Sequence, residues 1–225
     1  MDAETAYYRA LELRERGELP GLRKLFRSAS DELKGNVLNA LTDEPGTKPE
    51  MGPGIVALAI EGAVSPAAMT RSWACDVFMN QCDWGVDMTL AVGPVLGLLR
   101  DHDNDDQRTV AYATGIICKR KFDWSDHLVQ LNRLLVDKNL YVSEAAVWAL
   151  AQMSRSKQDI NFAVPNLVKV LVKKRDYDEP RKEACKAMLH HARKSVANRD
   201  LLRQAVKLND QWKVVKRFLD QLGQL

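Results

Sequence analysis

The chain has 225 residues, 33 Lys and Arg against 30 Asp and Glu, and 46% apolar residues. That suits one large domain or two small ones with a sizeable core. No apolar run reaches the ~18 residues of a membrane-spanning helix. The opening MDAETAYYRALELRERGE has no apolar stretch of the kind a secretory signal needs, so no leader is expected.

The near-neutral total hides an asymmetry. Residues 1–150 hold 16 basic and 22 acidic side chains, and residues 151–225 hold 17 and 8. A basic C-terminal third points to an acidic partner or nucleic acid, or to helix faces that simply differ in sign. Cys75, Cys82, Cys118 and Cys185 show no CxxC spacing, which suggests reduced thiols in a cytoplasmic protein.

In chain order, residues 3–16 form an amphipathic helix through Tyr7, Ala10, Leu11 and Leu13, a cap that occupies residues 1–19. Residues 20–195 then repeat. The apolar stretches LRKLF (22–26), IVALAI (55–60), VLGLL (95–99), LNRLL (131–135) and LVKVL (167–171) each precede a second helical segment. Those segments are KGNVLNALTDE (34–44), RSWACDVFMNQ (71–81), QRTVAYATGII (107–117), SEAAVWALAQM (143–153) and RKEACKAMLHH (181–191).

Aligned, the second segments share an anchor at Val37, Ala74, Ala111, Ala146 and Ala184, spaced by 37, 37, 35 and 38 residues. Three positions later come Ala40, Val77, Thr114, Ala149 and Ala187, and one further on Leu41, Phe78, Gly115, Leu150 and Met188. Each unit is a helical hairpin that cannot bury its apolar face alone, so neighbours must stack. Three positions before the anchor stand Lys34, Arg71, Arg108, Ser143 and Arg181. A basic side chain there would pair with an Asp in a neighbouring turn.

The joints have their own motif, CDWGVDM (82–88) and FDWSDHL (122–128). Trp84, Trp124 and Phe162, 40 and 38 residues apart, are expected to plug the gaps between hairpins. The Pro- and Gly-rich DEPGTKPEMGPG (43–54) is expected as a long loop, and residues 196–225 as a closing cap.

These segments resemble the HEAT/armadillo class, including short bacterial HEAT-like repeats. LGLLRDHDNDDQRTVAYA and LNRLLVDKNLYVSEAAVWAL carry the likeness best, and Ser143 departs from the basic column. The resemblance covers about residues 20–195. It implies one all-α domain over residues 1–225, a right-handed α-solenoid of about five hairpins with terminal capping helices.

Catalytic chemistry finds no foothold. DHDNDD (101–106) alternates like a calcium loop, but Asp106 and Tyr112 stand where Gly and Glu are needed, so it is expected as a solvated turn with a helix cap. His102, His127, His190 and His191 show no metal spacing, and His190 and His191 point about 100° apart on a helix. No nucleophile elbow or phosphate loop occurs, and neither metal nor cofactor is expected.

One column escapes the packing pattern. Two positions after the anchor, opposite the apolar face, come Asn39, Asp76, Ala113, Trp148 and Lys186, with Trp73 turned the same way. In HEAT-like solenoids the second helices line the concave side, and Trp is enriched at binding hot spots. The reading is a non-enzymatic protein-binding scaffold or adaptor, toxin-neutralising proteins included. Trp148 and Trp73 would be its apolar anchors, with Asp76 and Lys186 beside them. Packing of Trp148 on a neighbouring repeat is the competing use.

The alternative is nucleic-acid binding. Lys173, Lys174, Arg175, Arg193 and Lys194 would contact phosphates, although all five also end helices, where they complement the dipole. Alkylpurine DNA glycosylases of the helical-repeat class use Trp, Asp and Arg, for which Trp73, Asp76 and Arg108 are the nearest counterparts. The acidic N-terminal two-thirds opposes wrapping a duplex. HEAT-like phycobilin lyases and deoxyhypusine hydroxylase fit less well, the hydroxylase because its paired His-Glu motifs are missing.

Overall fold

A computed structural model describes residues 1–42, 49–100, 116, 124–156, 158–172, 179–205 and 213–224. It divides into two compact units, Met1–Arg120 and Lys121–Leu225. Among the described residues every regular element is helical.

The first unit holds α1 (Ala3–Arg16), α2 (Leu19–Ser28), α3 (Asp31–Asn39), α4 (Gly52–Ala63), α5 (Ala68–Asp83) and α6 (Val92–Arg100). The predicted capping helix is α1. Asp2 accepts the Thr5 amide at its start, and Gly17, at φ 75°, ends it in the left-handed conformation that glycine adopts freely. α2 and α3 form the first hairpin, and α4 and α5 the second. α4 starts at Gly52, inside the expected loop, because Gly52 and Gly54 let its first turn approach its neighbours. A Cβ at Gly52 would lie 2.6 Å from Val86, and one at Gly54 would strike Leu19.

The second unit holds α7 (Leu128–Leu134), α8 (Leu140–Arg155), α9 (Val164–Val172), α10 (Glu179–Ala192), α11 (Val196–Ala205) and α12 (Lys213–Gly223). Two more hairpins, α7 with α8 and α9 with α10, are followed by the two helices α11 and α12, both packed on α10.

The repeat register is carried by burial. Val37, Ala74, Ala146 and Ala184 are fully buried. So are Ala40, Val77, Ala149 and Ala187, and likewise Leu41, Phe78, Leu150 and Met188. The Ala positions bring second helices close: α3 packs on α5, and α8 on α10. The third repeat's Ala111, Thr114 and Gly115 lie outside the described residues, as does DHDNDD.

Polar side chains stitch neighbouring hairpins by donating to backbone carbonyls, among them those of Ala40 and Thr42, which the end of α3 leaves unpaired. In the first unit Arg14, itself buried, donates to the Ala40 carbonyl at 2.7 Å, and Asn80 donates to Thr42 at 2.8 Å. Thr70 donates to the Asp31 carbonyl. In the second unit Ser154 donates to Ala187 at 3.0 Å. First helices are tied as well, by a two-pronged Arg27–Glu61 pair between α2 and α4 and by Asn166 donating to Asn132 between α9 and α7.

The basic column works locally. Arg71 donates to the carbonyls of Ser65 and Pro66 in the turn of its own hairpin, at 2.8 and 2.9 Å. Ser143, the apparent exception, does the same to Leu135 at 2.7 Å. Lys34 pairs with Asp31 on its own helix at 2.7 Å.

The joint motif has a different register from the expected one. Met88, Trp124 and Ile160, spaced by 36 residues, each precede a single 3-10 turn that leads into a first helix. Their backbones nearly coincide (φ −104°, −97°, −119°; ψ 9°, 4°, 14°), and all three are buried. Asp87 and Asp159, one residue earlier, each accept the amide two residues on at 2.9 Å. Trp84 and Phe162 are instead exposed. α5 runs on to Asp83, so Trp84 caps that helix before Gly85 turns the chain at φ 81°. Phe162 sits in the middle of its 3-10 turn.

Candidate functional site

On α8 the residues facing away from the core are Tyr141, Glu144, Trp148 and Arg155, which recur at helical spacing. Tyr141 and Arg155 are exposed, and Glu144 and Trp148 partly so. Ala145 and Ala151, three positions either side of Trp148, are fully buried, as are Ala149 beside it and Ala146 and Leu150 on the opposite side. Trp148 is therefore a partly open ring set among buried small residues.

The same column on the other described second helices is also at least partly open. Asn39 and Asp76 are half-buried, and Lys186 is exposed. Within the first unit, Trp73 and Asp76 lie one turn apart on α5. Trp73 is half-buried against α3: a Cβ at Gly35 would lie 3.4 Å from its Cδ1 and 3.2 Å from Thr70 Oγ1. Gly35 thus makes the bay in which the indole rests. Trp73 combines packing with a partly open ring.

Within the second unit, Lys186 pairs with Glu183, and Arg155 reaches the same carboxylate from α8 at 3.4 Å. Glu183 is only 1% exposed. The sequence reading missed this three-membered group. Its one visible signal was the Glu183–Lys186 spacing on a helix, which many solvated helix faces share. Arg155 is brought in only by the packing of α8 on α10.

Of the basic candidates, Lys173, Lys174 and Arg175 lie outside the described residues. Arg193 is exposed at the end of α10. Lys194 donates to the Gln158 carbonyl at 2.8 Å, clamping the end of α10 to the turn before α9. Burial pulls its ammonium below the ordinary lysine value, with Asp159 opposing the shift.

His191 is buried beside this clamp. Its Nε2 lies 2.6 Å from Asn161 Oδ1, and its carbonyl accepts from Asn198 at 3.0 Å. Burial, then Lys194, holds its imidazole below the usual histidine value, with Asp159 opposing. His190, on the outward side, is lowered by burial and then by Arg155, Arg193 and Lys194. Among the described residues no cluster of His, Cys, Asp or Glu could hold a metal ion. Cys75, Cys82 and Cys185 are buried in the core and form no disulfide. No helix of the described residues is long and apolar enough to cross a membrane.

No protein-family model matches the chain. No curated protein matches it either. Solved structures do. A designed armadillo repeat protein, solved in complex with the peptide (KR)4, superimposes with a TM-score of 0.63 at 18% identity, over 92% of this chain and 98% of that one. A second designed armadillo repeat protein gives 0.60 at 17% identity, over 91% and 98%. An engineered protein gives 0.57 at 17%, over 92% and 97%. At these identities the likeness is one of fold. The chain has an all-α, armadillo/HEAT-like repeat fold.

Proposed function

We propose that the protein is a non-enzymatic binding scaffold that grips a protein partner along the outward faces of its second helices. The observation that carries this reading is the placement of Trp148. A large apolar ring is held partly open between the fully buried small residues Ala145 and Ala151, three positions either side of it on the same helix. Trp73 is a second partly open ring, on α5, with Asp76 one turn on, and Lys186 supplies a charged group on α10. Exposing an indole has a cost that burial in a partner recovers, which is why Trp so often anchors interfaces. The designed neighbour solved with (KR)4 supports the assignment by analogy of fold. An adaptor and a toxin-neutralising protein would both use such a face.

The test is capture of the partner from native cells with wild-type protein, Trp148→Ala and Trp73→Ala, followed by affinity measurement on the captured protein. Loss of a hot-spot Trp is expected to weaken binding by at least about 2 kcal/mol. Undiminished affinity in variants whose circular dichroism and melting are unchanged removes this face from the function.

A further inference from the structure

We propose that the outward side of α10, together with Arg155 of α8, is a docking strip for an extended acidic peptide. The proposal rests on the scaffold reading above and adds the chemistry of the partner.

Lys182, Lys186, His190 and Arg193 recur at intervals of 4, 4 and 3 residues, which places them on one side of the helix. Lys182, Lys186 and Arg193 are exposed and His190 is half-buried, while Ala184, Ala187, Met188 and Ala192 on the opposite side are fully buried. Among the described side chains of α10 the one carboxylate is Glu183. It is buried and shared by two cations, Lys186 and Arg155. The group therefore keeps a net positive charge, and Glu183 holds Arg155 beside the α10 row. His190 feels the same charges: after burial, the cations of Arg155, Arg193 and Lys194 are what disfavour its protonation. Positive charge from two helices converges there.

Spacing favours a peptide in extended form. At about 1.5 Å rise per residue, the four positions span roughly 16 Å in steps of about 6 Å or less. Alternate side chains of an extended strand repeat every ~6.8 Å, so acidic residues at every second position fall near Lys182, Lys186 and Arg193, with the neutral His190 imidazole between the last two as a hydrogen-bonding side chain. The intervening residues are free to be apolar. Trp148, on the neighbouring outward side of α8, offers them a surface.

Charge distribution separates this occupant from a nucleic acid. The unit Met1–Arg120 has 13 basic and 18 acidic residues, and Lys121–Leu225 has 20 and 12. A polyphosphate is charged at every step and gains from a long uniformly basic surface. A strip of roughly 16 Å meets only a few of those charges, but it accommodates a short acidic segment fully.

Fluorescence anisotropy with the full chain tests this. The probes are a labelled peptide of alternating Glu and Leu, about six to eight residues long, its Gln-for-Glu counterpart, and a labelled oligothymidylate. The Glu peptide is expected to bind, to weaken as salt rises, and to bind at least about tenfold better than the Gln peptide. Lys182→Glu with Arg193→Glu, both at exposed positions, is expected to reduce Glu-peptide binding at least about tenfold. Retained binding in that double variant, binding of the Gln peptide as tight as the Glu peptide, or oligothymidylate binding with the Glu peptide silent each overturns the proposal. Trp148→Ala separates the two readings. If it weakens peptide binding while the charge reversals do not, the scaffold face stands and the acidic partner falls. Circular dichroism confirms folding of each variant.

Discussion

Trp124 and Gln152 meet across 28 residues of sequence: the buried indole Nε1 donates to the buried Gln152 Oε1 at 3.3 Å. The joint that opens α7 is thereby fastened to the last turn of α8, the helix that carries Trp148. Trp124 is among the largest fully buried side chains, whereas Trp84, assigned to the same slot by sequence, is 36% exposed. Trp124→Ala is therefore expected to cost about 3–5 kcal/mol in urea unfolding. Trp84→Ala is expected to cost under about 1 kcal/mol. Similar losses in the two variants would restore the register that the structure replaces.

Ser143 gives a second test of the repeat geometry. Its hydroxyl donates to the Leu135 carbonyl inside the hairpin turn, in a buried bond of 2.7 Å. Ser143→Ala gains slightly in helix propensity but leaves that carbonyl short of a donor. A net loss of about 1 kcal/mol is expected in denaturant melts. Ser143→Thr, which keeps a hydroxyl, should recover less than full stability because its extra methyl enters a fully packed site.

The repeat pattern was legible because small and apolar residues recur at fixed offsets, and every described anchor such as Ala74, Ala146 and Ala184 is buried as that pattern requires. The joint was less legible. Trp draws the eye, but the slot at 88, 124 and 160 is filled by Met, Trp and Ile, which share only apolarity. The more informative marker was the Asp before it, at 87 and 159, whose hydrogen bond fixes the turn. At the candidate site, the outward position of Trp148 followed from helical periodicity alone. The group formed by Arg155, Glu183 and Lys186 did not, because Arg155 and Glu183 lie 28 residues apart and meet only through helix packing. Nor could sequence distinguish Lys194 from Arg193: both are exposed, but Lys194 reaches across to the Gln158 carbonyl.

The Glu183 group predicts strong non-additivity. Arg155 and Lys186 are each more than a third exposed, and the carboxylate they share is 1% exposed. Removing one cation leaves the other in place. Removing both, in Arg155→Ala with Lys186→Ala, strands a buried charge and is expected to cost roughly 3–5 kcal/mol. Adding Glu183→Gln to that double variant should recover much of the loss, because the charge is gone while the volume is kept. A triple variant no more stable than the double would show that the carboxylate is not the seat of the cost. Denaturant unfolding of the wild-type protein, the two single variants Arg155→Ala and Lys186→Ala, the double variant and the triple variant measures the cycle.

Acid sensitivity should centre on the end of α10. His191 is held below the ordinary histidine value of 6.5 by burial and then by Lys194, against the pull of Asp159. His190 is lowered by burial and by Arg155, Arg193 and Lys194. The unfolded chain takes up protons near pH 6.5, while the folded chain resists them, so the unfolded state binds more protons in that window. Stability from both groups is complete above that pH and declines as pH falls through 6.5 toward their lower folded values. The urea midpoint is therefore expected to hold above about pH 7 and to fall below about pH 6. His191→Gln keeps a polar side chain that can face Asn161 Oδ1 and cannot take up a proton. It should be less stable than the wild-type protein at neutral pH, because the fit is changed, yet lose less on acidification. His190→Gln should reduce the same slope by a separate increment. If both variants retain the full wild-type loss on acidification, the acid response arises elsewhere in the chain.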